Sequence, residues 1–116
     1  MTDAPDLPAD TLLYLTRADL EGLGLTARDM TGALSRLVGA LPTGEAVNTP
    51  KRAINFPDGR LYMSMLAYGP AGASEAPPTR LATKSLGLAP ANAARGIPTI
   101  SALICLHDAE TGRPVA

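Results

Sequence analysis

The chain has 116 residues, 46% of them hydrophobic and 18% charged, enough for one globular domain and too few for two. A net charge of −1 and an aromatic content of 3% supply neither the basic face nor the stacking platforms of a nucleic-acid binder. A lone cysteine, Cys105, permits no internal disulfide and no cysteine-based zinc site, and no apolar run approaches the ~20 residues that span a bilayer.

The start, MTDAPDLPAD, is acidic and proline-rich, the reverse of a signal peptide. Residues 1–10 therefore read as a disordered leader, and the protein as cytoplasmic with no membrane partner. TLLYL at 11–15 is a short apolar run of strand type. Thr16 with Asp19, and Thr26 with Asp29, have the spacing of helix N-terminal caps. The first begins a short helical turn that ends near Gly22 or Gly24. The second begins an amphipathic helix of three or four turns. Its apolar positions are Met30, Ala33, Leu34, Leu37, Val38 and Leu41, and Pro42 and Gly44 stop it.

Strands follow. TPKRAINF and RLYMSMLA flank Pro57-Asp58-Gly59, a strong hairpin signal. Residues 68–79 read as an exposed loop, RLATKSLGL as a strand, and APANAARGIP as an irregular connection. The last strand is TISALICLHD at 99–108, followed by a tight turn over Ala109–Gly112. Pro114, Val115 and Ala116 then begin a returning strand, and the sequence stops. Helices followed by strands make an α+β pattern: N-terminal helices packed on a mostly antiparallel sheet, incomplete at the C-terminus. No internal repeat and no phosphate-binding glycine pattern is present.

Residues two apart in a strand share a face. Arg52 thus shares a face with Pro50, Ile54 and Phe56, and Lys84 shares one with Ala82, Leu86 and Leu88. Both are lone cations among apolar neighbours. A cation left unpaired in apolar surroundings costs several kcal/mol, whereas a bound anion relieves it. Arg can grip a carboxylate with two parallel bonds, and a desolvated Lys exchanges protons near neutral pH. One reading is a pocket for a small carboxylate, with Arg52 as the clamp and Lys84 beside the reacting atom. The other is that each snorkels to water or pairs with an acid elsewhere. His107 reads as a turn residue, and Cys105 and the Met63/Met65 pair as packing. No catalytic triad, carboxylate pair or metal-ligand set can be defended.

Three stretches in order resemble the ornithine cyclodeaminase and mu-crystallin family of NAD(P)-dependent enzymes. LLYLTRADLEGL is similar to the family's opening strand and helix. EAVNTPKRAINFPDGRLYMSMLAY is similar to its stretch with a Pro-x-Arg, a hairpin and a Met-Pro-Ala-Tyr-like end. TKSLGLAPANAARGIPTISALICLHDAETGRPVA resembles the run that opens on a lysine, passes through Pro-x-Asn and Gly-x-Pro-Thr, and ends at an acidic turn with Thr-Gly-Arg. The resemblance spans residues 11–116. It implies a substrate-binding and dimerisation domain, followed in the family by a Rossmann domain that carries NAD or NADP. It implies hydride exchange at the α-carbon of an amino acid or cyclic imine: ornithine cyclodeamination, ketimine reduction or amino-acid dehydrogenation. Arg52 matches the arginine that holds the substrate carboxylate, and Lys84 the lysine at the reacting centre. Met65 matches a pocket-lining position and Thr99 a cofactor-side position. Leu66 stands where the family has proline, and the 68–79 loop is longer than the family's.

Two expectations follow for residues 11–116. One is the truncated front of such an enzyme, inactive and binding no cofactor alone. The other is a stand-alone dimerisation or small-carboxylate binding module without catalysis. Both include a homodimer, because a sheet that ends mid-hairpin has an unpaired edge. A plain structural domain is the third reading.

Overall fold

The structure, a computed structural model, describes Pro8, residues 10–72 and residues 74–116. Apart from Pro8 and Asp10, the expected disordered leader lies outside the described residues. Both predicted caps form. The Thr16 and Asp29 neighbourhoods follow one plan, in which the Thr hydroxyl oxygen accepts the N–H three residues on and the Asp carboxylate accepts the Thr N–H. The Thr hydroxyls also donate to Asp19 and Asp29 and hold both carboxyls below their ordinary range. The helices so started are α1 (Arg17–Gly22) and α2 (Ala27–Ala40). No described helix is long and apolar enough to cross a membrane. TLLYL, expected as a strand, forms no ladder. Its tie to the C-terminal segment is the Leu13 N–H donating to the Val115 carbonyl at 3.1 Å.

Five antiparallel strands make an open sheet: β1 (Val47–Asn48), β2 (Arg52–Asn55), β3 (Leu61–Pro70), β4 (Thr79–Leu88) and β5 (Ile100–Asp108). β1 and β2 lie end to end along one edge of β3, and β4 and β5 continue the sheet from its other edge. The α+β class expected from the element order is the class observed.

Four local differences from expectation have physical causes. TPKRAINF is not one strand. Thr49 donates its N–H to the Leu66 carbonyl at 3.0 Å, while Arg52 pairs with Ser64. Three residues on one side thus match two on the other, which is a bulge at Pro50–Lys51, where proline has no N–H to give a ladder. β3 runs to Pro70, so the expected loop shrinks to residues 71–78. Gly69 permits this extension: a Cβ there would lie 2.5 Å from Leu37 Cδ1 and 3.0 Å from Ala46 Cβ. The connection after β4 contains a 3-10 helix, Pro90–Arg95, stopped by Gly96 at φ 67°. Asn92 Nδ2 donates to the Pro98 carbonyl at 3.1 Å, so Pro-x-Asn and Gly-x-Pro form a single local lock. Finally, Thr99 stands just outside β5 rather than within it.

The turn after β5 forms as expected. Asp108 Oδ1 accepts the N–H groups of Glu110 and Thr111 and the Thr111 hydroxyl, at 3.2, 2.8 and 2.8 Å. The Thr111 N–H foremost keeps the Asp108 carboxyl below its ordinary range. The Val115 N–H reaches the Leu106 carbonyl at 2.8 Å, and His107 bridges Pro114.

Ala40 and Ala46 are the buried apolar residues among those described, and twenty large apolar side chains are exposed. The accessible surface is 8944 Å², against roughly 6,000 Å² for a compact chain of this mass. Among the described residues, the buried positions Ala40, Ala46 and Gly69 thus gather at the joint of α2 with β3. Gly69→Ala should lower stability by about 1–3 kcal/mol through overpacking, measured as a lower denaturant midpoint. An unchanged midpoint would show that Leu37 and Ala46 yield freely.

Candidate functional site

Paired residues in an antiparallel ladder point to the same side of the sheet, so the register sorts every strand residue onto one of two faces. α2 packs on the face that includes Gly69, where Leu37 meets it. On that face the cross-strand rows are Ala67–Ala82–Leu106, then Met65–Lys84–Ile104, then Ala53–Met63–Leu86–Ala102. The opposite, open face carries Leu66–Thr83–Cys105, then Arg52–Ser64–Ser85–Leu103, then Ile54–Tyr62–Gly87–Ser101.

Lys84 is thus a cation in the middle of an apolar row, half-buried on the central strand β4. Met65 is its cross-strand partner on one side and Ile104 on the other. Among the described residues it has no hydrogen-bond or ion-pair partner. Asp108 lies on the same face but two rows away, beside Arg80 at 4.0 Å. The register thus brings Lys84 and Met65 together.

Arg52 is exposed and likewise has no such partner among the described residues. It shares its face with Ile54, as strand parity required. Its phase relative to Lys84 is the part that parity could not supply. Arg52 pairs with Ser64 and Lys84 with Met65, so the two cations stand in adjacent rows on opposite faces. Within the sheet they do not converge. A guanidinium on the outermost strand can approach Lys84 only around the sheet edge.

Thr99 lies five residues before Ile104, the partner of Lys84, or about 17 Å along the strand. Its carbonyl accepts the Ala89 N–H at 2.8 Å, which closes the connection around the 3-10 helix. His107 Nδ1 lies 3.0 Å from the Gly112 carbonyl oxygen, a structural bond within the hairpin, and Cys105 is half-buried beside Thr83. No cluster of metal-ligating side chains occurs among the described residues. Residues that sequence reasoning missed are Ser64 and Ser85, which place hydroxyls in the same row as Arg52. The alternation Met-Ser-Met and Lys-Ser-Leu was the visible signal, but only the register aligns it with Arg52.

No family model and no curated protein matches this chain. Solved structures do. An archaeal alanine dehydrogenase dimer with bound NAD matches at a TM-score of 0.75 and 26% identity, over 90% of this chain and 30% of that one. The Δ1-pyrroline-2-carboxylate reductase of Thermococcus litoralis, in complex with NADH and L-proline, matches at 0.69 and 30% identity, over 86% and 29%. The fold is one these enzymes share. It supports, at the level of fold, the motif resemblance drawn from the sequence. CmnK, at 16% identity and a TM-score of 0.65, adds the fold alone. The chain spans about 30% of the length of the matched chains.

The described residues do not fit a dinucleotide by themselves. Every strand pairing is antiparallel, and none forms the parallel strand–glycine-rich turn–helix unit that cradles a pyrophosphate. What the site offers is an apolar row with one ammonium in it. A lysine kept there for chemistry rather than packing should be dispensable to the fold. Lys84→Met should keep or raise stability, by roughly 1 kcal/mol, since an apolar side chain suits that row better than an unpaired charge. A clear drop in thermal midpoint would make Lys84 a structural residue.

Proposed function

We propose that this chain is the substrate-side portion of an NAD(P)-linked enzyme of amino-acid metabolism, related to ornithine cyclodeaminases and imine reductases. In this reading Lys84 sits at the reacting carbon or nitrogen of an amino acid or cyclic imino acid, and Met65 lines the pocket. Arg52 reaches the substrate carboxylate around the sheet edge, and Thr99 lies towards the cofactor. The observation that carries the reading is Lys84: an ammonium without a partner among the described residues, in an apolar row, on a fold shared with an NAD-bound and an NADH-bound enzyme. The lysine can hold or move a proton at the substrate nitrogen. A nicotinamide would supply the hydride, and its site calls for residues beyond those described. The chain by itself is proposed to be inactive, because hydride transfer needs both reactants held in contact.

The test is titration of the purified chain with L-proline, read by nuclear magnetic resonance. Shifts at Met65, Lys84 and Ile104 that disappear in Lys84→Ala and weaken at least tenfold in Arg52→Ala support the reading. No perturbation at any proline concentration up to the solubility limit would sink it. Shifts confined to Arg52, Ser64 and Ser85 would favour instead a small-carboxylate binding module without chemistry, which the hydroxyl row on the open face recommends as the second reading.

A homodimer belongs to the same proposal. Val47, Ile54, Tyr62, Leu66 and Leu103 are exposed on the open face, more apolar surface than an isolated domain ordinarily presents. Light scattering at tens of micromolar should give twice the 11.9 kDa chain mass. A monodisperse monomer would remove dimerisation from the proposal.

A further inference from the structure

We infer that the hollow between α2 and the sheet is a specificity pocket for the unbranched aliphatic side chain of the amino or imino acid held at Lys84; this rests on the function proposed above. The cavity measures about 220 Å³. Ala33, Leu34 and Leu37 of α2 line it from above, and Ala67, Ala82 and Leu106 form a complete cross-strand row beneath. Two of the three floor residues are alanines. Larger side chains in that row would fill the space, so the two alanines keep it open.

Its position and its chemistry both point to a substrate side chain. The floor row is next to the Lys84 row on the same face, and Ala82 lies two residues from Lys84, about 7 Å along the strand. A molecule with its nitrogen at the ammonium can therefore extend three or four carbons over Ala82. The charged residue in the lining is Arg80, which already donates to the Thr79 carbonyl at 3.1 Å and faces Asp108 at 4.0 Å. Among the described residues no acidic side chain lines the hollow, and Asp108 already faces Arg80, so a cationic tip there would be desolvated without a counter-charge. The site selects against it and in favour of a neutral chain. On the loop side, Arg36 of α2 donates from Nη2 to the Gly72 carbonyl at 2.7 Å, which fixes the wall where the 71–78 loop begins.

The test uses the whole 116-residue chain, labelled with nitrogen-15 and titrated with L-alanine, L-norvaline, L-norleucine and L-ornithine. Affinity should rise about fourfold per added methylene from alanine to norleucine. Ornithine, close to norleucine in shape but cationic at its tip, should bind at least tenfold more weakly than norleucine. Norleucine should shift the Ala67, Ala82 and Leu106 amides. Ala82→Leu, which fills the hollow, should flatten the chain-length trend, and Ala67→Leu should do the same if the first variant fails to fold. Alanine affinity that Lys84→Ala abolishes, with no chain-length trend in the wild type, would sink the pocket and leave the proposed function standing. Equal binding of ornithine and norleucine would also sink it. If none of the four binds while L-proline does, the pocket falls and the proposed function stands; if L-proline also fails, both fall.

Discussion

The ten-residue ladder between β3 and β4 is the constraint on which the rest depends. It is the longest pairing in the molecule, from Leu61 opposite Leu88 to Pro70 opposite Thr79. It fixes the phase of β1, β2 and β3 against Lys84. A slip of one residue would send the whole set of side chains on β4 to the other face, and the ammonium would leave the α2 side for the open side. Gly69 anchors one end of this ladder, because only a residue without a side chain lets Leu37 and Ala46 close on β3. A packing contact remote from Lys84 in sequence thus helps to decide where Lys84 points.

Much of the local structure was legible. The two Thr–Asp caps, the α2 periodicity, the Pro-Asp-Gly hairpin and the Asp108 turn each depend on a few neighbouring residues, and such signals survive in any context. TLLYL failed for the opposite reason. A strand is defined by its partner, and an apolar run has strand character without containing the neighbour that would realise it. The 3-10 helix at Pro90–Arg95 was hidden in a stretch whose proline and glycine read as breakers. There they act as a start at Pro90 and a stop at Gly96.

The candidate site shows where such reading ends. Alternation within a strand placed Arg52 with Ile54 and Lys84 with Leu86, and both placements agree with the register. Whether two strands agree in phase is another matter, because phase is set by turn lengths and bulges between them. The hairpin at 56–60 puts Arg52 opposite Ser64, and the 71–78 connection puts Lys84 opposite Met65. These loops differ in parity, and the two cations part. The hydroxyl row of Ser64 and Ser85 was invisible for the same reason: each serine is unremarkable until the ladder aligns it with Arg52.

The scarcity of buried side chains reaches beyond the site. A sheet that bares one face and hides little more than Ala40 and Ala46 recovers little hydrophobic free energy when it folds alone. In the proposed homodimer a second copy on the open face would contribute part of the remainder, and folding and assembly would then be one equilibrium. For such a dimer the midpoint of unfolding would rise with total protein concentration. In a cell the uncovered chain would spend its time between synthesis and assembly as a substrate for chaperones and proteases. The lifetime of the molecule would be set by how quickly its surface finds a cover.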